Sequence, residues 1–286
     1  MMTVQELYRF FLTDVAHIYD KEEAANISTM LFESIAGISR ADIIRDPNRV
    51  LDEEIVLKLQ NACKDLKEHK PVQYIIGEAW FYHMKLKVSP AVLIPRPETE
   101  ELAAAVIQFL KDKPSAALLD IGTGSGCIPI AIKKNLPGIN ITAIDISSEA
   151  LAIANENALA QQTPISFQQV NFLDEQTWDA LPVYDVIVSN PPYIPEAEKQ
   201  LLAKNVTAFE PHTALFVANE QPLIFYEKIA AFGKKHVKEN GRIFMETHES
   251  FAGQVSTLFN NGFYSAVIIN DLQGKERIVV ATRHSR

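Results

Sequence analysis

Residues Ala116–Gly126 read Ala-Ala-Leu-Leu-Asp-Ile-Gly-Thr-Gly-Ser-Gly, an apolar run that passes through one acidic residue into a glycine-rich turn. The apolar run is typical of a buried strand. The glycines allow a tight turn and let a ligand approach the backbone closely. The segment that follows, 128–136, is compatible with a helix, because Pro129 is tolerated in a first helical turn. The stretch therefore predicts the first strand, ligand loop and helix of an α/β fold.

The loop favours one of the two ligand classes that such loops bind. In dinucleotide enzymes the glycines follow the pattern G-x-G-x-x-G, and the pyrophosphate lies on the helix N-terminus. Here the third glycine, Gly126, falls one place early, and the carboxylate of Asp120 suits a cationic amino-acid group better than a pyrophosphate. The next predicted strand ends at Asp145, about 20 positions past the loop, where a ribose-binding carboxylate is expected. Each aspartate alone also fits an N-cap or a solvated strand end, but together they favour S-adenosylmethionine (AdoMet).

A second motif, Asn190–Tyr193 (Asn-Pro-Pro-Tyr), follows the predicted buried strand 186–189. The side-chain oxygen of Asn190 accepts hydrogen bonds through two lone pairs. The Pro191 carbonyl is a second acceptor, because proline stops the chain from continuing as a strand or helix. Two acceptors aimed at one NH₂ group would fix its plane, and the Tyr193 ring would stack on it. The corner suits methylation of an amide or aromatic amine, which needs orientation more than deprotonation; a simple proline turn is the alternative.

The glycine loop and the Asn-Pro-Pro-Tyr corner together resemble class I AdoMet-dependent methyltransferases that act on amino groups. Three further stretches resemble the release factor glutamine methyltransferases of the HemK/PrmC type: Pro71–Gly77, Val92–Glu100 and Asn270–Arg277. The string Ile-Pro-Arg-Pro-Glu-Thr-Glu within the second stretch is the specific part. The resemblance spans roughly residues 71 to 283 and, weakly, the helical N-terminus.

This resemblance implies an AdoMet site, with S-adenosylhomocysteine as product. Its residues would be Asp120, Ile121, Gly122, Thr123, Gly124, Gly126, Asp145, Ile146, Asn171, Phe172 and Asn190. Within this set, Asp145 is expected on the ribose. Asn171 and Phe172 are expected to hold the adenine, by polar contact and by stacking.

The resemblance also implies the residues that bind the acceptor amide. Asn190, Pro191 and Tyr193 would be catalytic, and together with Pro192 they would grip a glutamine side chain. Arg96 and Glu98 are candidate substrate contacts, and the alternative is an ion pair that fixes their proline-rich loop.

One stretch departs from the family pattern, which usually has Gly-Gly-x-Asp-Gly after Phe209–Leu215. Here the chain reads Val217–Gln221 (Val-Ala-Asn-Glu-Gln), which we expect to be a surface loop of altered shape.

The implied substrate is the glutamine of the Gly-Gly-Gln motif in class 1 peptide-chain release factors. This identity rests on the resemblance, because the motif itself does not distinguish glutamine from adenine. A nucleic-acid amino-methyltransferase is the second hypothesis, and a non-catalytic AdoMet-binding scaffold is the third. The intact Asn-Pro-Pro-Tyr corner argues against the scaffold.

Composition limits the partners. The net charge of −9 over 286 residues disfavours the phosphate-backbone contacts of nucleic-acid binding. No apolar run approaches the ~18 residues of a membrane span, and the N-terminus lacks a signal-peptide pattern. Two cysteines, Cys63 and Cys127, suggest reduced thiols in a cytoplasmic protein. The histidines show no spacing that indicates a metal site.

Three segments are predicted along the chain. Residues 1–73 are predicted to form a small helical bundle that recognises the protein substrate, 74–95 an extended β-hairpin linker, and 96–286 the methyltransferase domain. The last is predicted to be an α/β Rossmann-like domain with a seven-stranded, mostly parallel sheet and an antiparallel last strand. The strand candidates are 116–121, 141–146, 165–170, 184–189, 241–247, 263–270 and 276–282. Because ligands bind at the carboxyl ends of such strands, the site residues are expected to converge there.

Overall fold

The computed structural model describes residues 2–285 and groups them into two compact units. The first unit comprises residues up to Glu78 together with Ala203–Phe209, and the second comprises Ala79–Leu202 and the residues from Glu210 onward. The division into three segments at 73 and 95 stays a prediction.

The helices are α1 (Val4–Val15), α2 (Lys21–Ala36), α3 (Arg40–Arg45), α4 (Glu53–Lys67), α5 (Val72–Ile76), α6 (Pro97–Leu110), α7 (Cys127–Asn135), α8 (Ser148–Ala160), α9 (Lys204–Phe209), α10 (His212–Leu215), α11 (Ile224–His236) and α12 (Ala252–Phe259). The strands are β1 (Glu78–Phe81), β2 (Met84–Lys87), β3 (Ala117–Ile121), β4 (Asn140–Asp145), β5 (Ser166–Gln169), β6 (Tyr184–Ser189), β7 (Ile194–Pro195), β8 (Phe216–Val217), β9 (Val237–Glu246), β10 (Tyr264–Asn270) and β11 (Glu276–Arg283). Two 3₁₀ helices span Glu175–Ala180 and Glu196–Leu201.

The first unit is helical, as predicted, and its helix ends follow local signals in the sequence. The Asp20 carboxylate accepts hydrogen bonds from the backbone N–H groups at the start of α2, which ends at Gly37 with a φ of 63°. Ser39 and Asp42 form a capping box at the start of α3. The apolar stripes of α1, α2 and α4 form one core, which includes Leu7, Phe11, Leu31, Phe32, Leu59 and Leu66.

The expected hairpin is present as β1 and β2, which pair in a two-stranded sheet. Tyr82 and His83 connect them with φ angles of 47° and 62°, the left-handed conformation that a two-residue hairpin turn requires. The expectation of extended structure is wrong at 74–76, because these residues belong to α5. That single helical turn buries Val72 and Tyr74 and ends at Gly77.

The second unit contains the predicted seven-stranded sheet, in the order β10-β11-β9-β6-β3-β4-β5. Strands β9, β6, β3, β4 and β5 are parallel, and β11 runs antiparallel to both β9 and β10. Apolar clusters cover both faces of the sheet, which explains the continuous apolar runs of β3 and β6. Strand β9 begins at Val237 rather than at 241, because Val237 already pairs with Tyr184.

Candidate active site

A cavity of about 400 Å³ opens in the second unit at the carboxyl ends of the parallel strands. The predicted site residues that line it are Ile121, Gly122, Gly124, Asp145, Ile146, Asn171, Phe172, Asn190 and Pro192. They lie at the ends of β3, β4, β5 and β6 or in the loops that follow. The sheet topology thus brings together residues that are far apart in the sequence.

The glycine loop leaves open space on the cavity side. Gly122 and Gly124 have φ angles of 75° and 53°, and a Cβ atom built on either would meet no atom within 4 Å. Gly126 has a different role, because its Cβ would approach the Ile130 and Ala154 side chains to 3.1 and 3.2 Å. The first two glycines therefore keep room for a ligand, and the third permits close packing behind the loop.

The carboxylate of Asp145 is fixed on the cavity wall by two backbone donors. Its Oδ2 accepts a hydrogen bond from the Gly124 N–H at 2.9 Å, and its Oδ1 accepts one from the Ser147 N–H at 2.9 Å. Each oxygen keeps a second lone pair for a ligand hydroxyl. Ser147, not Asp145, is the N-cap of α8, so the capping alternative for Asp145 does not hold.

Three polar side chains of the loop region are buried without a partner among the described residues. Both carboxylate oxygens of Asp120, Thr123 Oγ1 and Ser125 Oγ lack a hydrogen bond of acceptable geometry. Burial raises the pKa of Asp120 to about 7; the nearby Thr123 hydroxyl opposes the rise and the Asp145 charge adds to it. Because unsatisfied buried polar groups are costly, this arrangement fits a ligand that brings its own donors. Neither Asp120 nor Thr123 lines the cavity itself.

The residues expected to hold an adenine differ in how accessible they are. The Phe172 ring is buried and stacks on Trp178 with a centroid distance of 5.5 Å and an interplanar angle of 27°. Much of its surface therefore already packs against protein. Asn171 is exposed, and its Oδ1 accepts a hydrogen bond from the Leu173 N–H. Ile146 and Leu173 are exposed apolar side chains on this part of the wall.

The Asn-Pro-Pro-Tyr corner begins where β6 ends. The Asn190 Nδ2 donates to Thr99 Oγ1 at 3.1 Å, and within residues 2–285 no donor reaches its Oδ1. The following Pro191 is buried, whereas Pro192 lines the cavity. The Tyr193 ring lies 6.1 Å from the His248 ring at 45°. Burial raises the pKa of Tyr193 to about 12, so its phenol is protonated at neutral pH.

Arg96 forms an ion pair, but with a distant partner rather than with Glu98. Its Nη2 lies 2.5 Å from Oε1 of the buried Glu210, whose Oε2 accepts a hydrogen bond from the Ile94 N–H at 3.1 Å. Glu98 lies in the first turn of α6. Residues within 91–93 and 211–218, which lie next to Ile94 and Glu210 in the chain, line the cavity. Glu210 therefore connects two parts of the cavity wall that are far apart in the sequence.

The stretch that departs from the family pattern is part of the cavity wall. Val217, Ala218 and Gln221 line the cavity, and Val217 is buried. The expectation of a surface loop is therefore wrong only for Val217, which belongs to β8, whereas 218–221 form an exposed loop. The physical reason is the pairing of β8 with β7, which is supported by a hydrogen bond from the Ala197 N–H to Asn219 Oδ1 at 2.7 Å.

Comparison with known proteins identifies the family. Residues 98–248 match the methyltransferase small domain, and residues 15–77 match the PrmC N-terminal domain. A release factor glutamine methyltransferase of Flavobacterium psychrophilum is 36% identical over 97% of this chain and 98% of its own length. Those of Bacteroides thetaiotaomicron and Streptococcus pneumoniae are each 38% identical, over 93% and 98% of this chain and 95% and 98% of their own. This chain belongs to the release factor glutamine methyltransferase family.

Membership of the release factor glutamine methyltransferase family confirms three expectations. The resemblance drawn from the motifs is correct, the protein is a methyltransferase, and its methyl donor is AdoMet. The residues present also fit this donor. The space above Gly122 and Gly124, the Asp145 carboxylate on the wall and the unsatisfied carboxylate of Asp120 match a ligand with a ribose and an ammonium group.

The two cysteines of this methyltransferase are free and buried. Burial raises the pKa of both thiols to about 12, so Cys127 is a packed residue and not an activated nucleophile at the start of α7. In the part of the chain that the structure describes, no cluster of three or more His, Cys, Asp or Glu side chains is arranged to hold a metal ion. Among the same residues, no helix is both long enough and apolar enough to cross a membrane.

Proposed function

We propose that this protein transfers a methyl group from AdoMet to the side-chain amide nitrogen of the glutamine in the Gly-Gly-Gln motif of class 1 peptide-chain release factors. The observation that carries the proposal is the Asn190 side chain, whose nitrogen is held by Thr99 while its oxygen is left for a ligand at the cavity. The names of the relatives, which match this chain over nearly its whole length, support the release factor as substrate.

The catalytic role of the corner is to orient a weak nucleophile. Asn190 Oδ1 and the Pro191 carbonyl accept the two N–H bonds of the substrate amide, and the Tyr193 ring packs against its plane. When bound, AdoMet supplies an electrophilic methyl group on a sulfonium, and the C–S electron pair leaves with sulfur as the N–C bond forms. The Tyr193 phenol is protonated at neutral pH and does not act as a base. The proton on nitrogen passes to water after transfer, so positioning and electrostatics carry the catalysis.

The cofactor-binding roles extend around the glycine loop. Asp145 accepts hydrogen bonds from the ribose hydroxyls, and Gly122 and Gly124 let the ligand backbone lie close to the loop. Asp120 supplies negative charge behind the loop for the ammonium group. Asn171, Ile146 and the accessible edge of Phe172 surround the adenine.

The remaining substrate contacts are assigned with the same proposal. Pro192 lines the cavity beside the corner. Arg96 acts indirectly, because its pairing with Glu210 fixes a wall of the cavity, and Glu98 remains a candidate contact with the release factor. The protein acts in the cytoplasm without direct nucleic-acid contact, which the net charge of −9 supports.

The decisive experiment is methyl transfer from isotope-labelled AdoMet to purified, unmodified release factor, followed by peptide mass mapping. We expect a single methyl group on the glutamine of the Gly-Gly-Gln motif, and no label when that glutamine is replaced by alanine. Label that appears in DNA or RNA and not in release factor would contradict the proposal in favour of nucleic-acid amino-methylation. Binding of AdoMet without transfer to either class would also contradict it.

A further inference from the structure

We propose that Thr99 and Glu246 are positioning residues. They hold the NH₂ end of the Asn190 side-chain amide, so that the Oδ1 end faces the acceptor nitrogen of the substrate. The proposal rests on the proposed function and deepens it, because it identifies the residues that prepare the corner for a substrate NH₂ group. Neither residue belongs to the glycine loop or to the Asn-Pro-Pro-Tyr motif.

The three side chains form a continuous hydrogen-bonded relay inside the second unit. Thr99, in the first turn of α6, donates from Oγ1 to Glu246 Oε2 at 2.7 Å. The same Oγ1 accepts from Asn190 Nδ2 at 3.1 Å. Thr99 and Glu246 are 2% and 3% exposed, so water does not readily substitute for either partner. Glu246 lies at the carboxyl end of β9, next to β6, and Asn190 directly follows β6.

The direction of the relay determines the orientation of the Asn190 amide. An ionised carboxylate only accepts hydrogen bonds, and a threonine hydroxyl has one proton to donate. When Thr99 donates this proton in a hydrogen bond to Glu246, its oxygen presents only lone pairs to Asn190. The amide must then place its NH₂ end toward Thr99, and its Oδ1 faces the opposite direction, as an acceptor for the substrate amide.

Protonation of Glu246 removes this constraint. A protonated carboxyl donates to Thr99, whose own proton is then free to bind Asn190 Oδ1, so that the Asn190 NH₂ group faces the substrate instead. Two NH₂ groups facing each other form no hydrogen bond. The ionised state of Glu246 therefore favours the productive orientation of Asn190.

The charged and titratable groups around Glu246 set the pH range of this effect. Burial raises the pKa of Glu246 to about 7, Thr99, Asn190 and Arg277 oppose the rise, and the Glu98 charge adds to it. Three further groups face it. The Tyr226 hydroxyl donates to the Glu246 backbone carbonyl, and the Glu246 charge raises the pKa of both Tyr193 and Cys127. Since the thiol and both phenols stay protonated at neutral pH, Glu246 is the member of this group that titrates near pH 7.

The first test compares Thr99→Val with Thr99→Ser in the full-length protein, with release factor as substrate. Valine keeps the shape of threonine but removes the hydroxyl, so we expect kcat to fall by about 10-fold or more while KM changes by less than about threefold. Serine keeps the hydroxyl and should restore kcat to within about threefold of wild type. A Thr99→Val enzyme with normal kcat, or a serine variant as impaired as the valine variant, would overturn the proposal.

The second test uses Glu246→Gln, whose side-chain amide does not titrate and, like the protonated carboxyl, offers Thr99 a donor as well as an acceptor. With saturating substrates, wild-type kcat should fall as the pH drops through about 7, and the Glu246→Gln variant should lose this pH dependence. A purely structural role for Glu246 would lower activity equally at all pH values. An unchanged pH profile in the variant would contradict the relay, even if Thr99→Val fails to fold.

A third readout separates failure of this proposal from failure of the proposed function. In protein with isotope-labelled asparagine, the side-chain NH₂ resonance of Asn190 should exchange slowly in wild type and in Thr99→Ser, and fast in Thr99→Val. This result does not depend on the substrate. If wild type does not methylate release factor, the proposed function fails, and the resonance still decides whether the relay exists. If wild type methylates release factor and the resonance is the same in all three proteins, the relay alone is wrong.

Discussion

Asp120 and Glu246 are two buried carboxyl groups of the same sheet, and they differ in how their oxygens are used. Asp120 lies at the end of β3 and Glu246 at the end of β9, and burial raises the pKa of each to about 7. Both Asp120 oxygens lack a hydrogen-bond partner among the described residues. Glu246 accepts a hydrogen bond from the Thr99 hydroxyl, and Thr99 in turn accepts one from Asn190.

The two carboxyl groups show two different uses of burial, one at the glycine-loop end of the cavity and one at the end formed by the Asn-Pro-Pro-Tyr corner. At the glycine loop, the protein leaves an acceptor unsatisfied, and we propose that the ammonium group of AdoMet offsets that cost. At the Asn-Pro-Pro-Tyr corner, the acceptor is already satisfied, and it orients another side chain before any ligand arrives. Variants at the first end should therefore change cofactor affinity, and variants at the second end should change the rate of transfer.

The largest expected effect at the cofactor end comes from Asp145→Ala. This change removes the carboxylate that two backbone N–H groups hold on the cavity wall. We expect the dissociation constant for AdoMet, measured by calorimetry, to rise by about 10-fold or more, with kcat at saturating AdoMet near the wild-type value. Asp174→Ala, at an exposed aspartate outside the cavity, is the matched control. Unchanged affinity would remove Asp145 from the cofactor site.

A smaller effect is expected for Asp120→Asn, and it should depend on pH. The wild-type carboxyl is ionised above its pKa of about 7 and then favours a cationic ligand. The variant should bind AdoMet about 5- to 10-fold more weakly than wild type at about pH 8, and within about twofold at about pH 6. If the ratio of the two dissociation constants is the same at both pH values, Asp120 does not act through its charge.

The smallest expected effect is on thermal stability without ligand. The pKa of Asp120 is higher in the folded state than its ordinary value of 3.8. The stability that the protonated Asp120 carboxyl contributes to the folded state is therefore fully present below pH 3.8 and is lost as the pH rises through about 7. We expect the difference in melting temperature, Asp120→Asn minus wild type, to increase by about 5 °C between about pH 5 and pH 8. A constant difference, measured by calorimetry, would indicate an unshifted carboxyl.

Local patterns were sufficient to predict the parts of the fold and site that lie close together in the sequence. The strand, glycine loop and helix around Asp120 form one continuous signal, as does the strand that leads into Asn190. The prediction fails at 74–76 because one helical turn is too short to show a helical period, and Tyr74, Ile75 and Ile76 are residue types that strands also favour.

The contacts that prepare the site join distant residues, and no local pattern encodes them. Thr99 and Glu246 are 147 positions apart, and Ile94 and Glu210 are 116 positions apart. The wall formed by Val217 also depends on pairing between β7 and β8, which are too short to give an alternating pattern. These features follow from the order of strands in the sheet, which only the three-dimensional structure provides.

The most direct test of the division between the two ends is the Asn190→Ala variant, with two quantities measured on the same preparation. These are the dissociation constant for AdoMet and the single-turnover rate of methyl transfer to release factor. Asn135→Ala is the matched control, since the Asn135 amide donates only to its own helix at the Ala131 carbonyl. We predict that Asn190→Ala lowers the rate by about 100-fold or more and leaves the dissociation constant within about threefold. A near-normal rate, or a loss that weaker AdoMet binding explains in full, would contradict the role assigned to the corner.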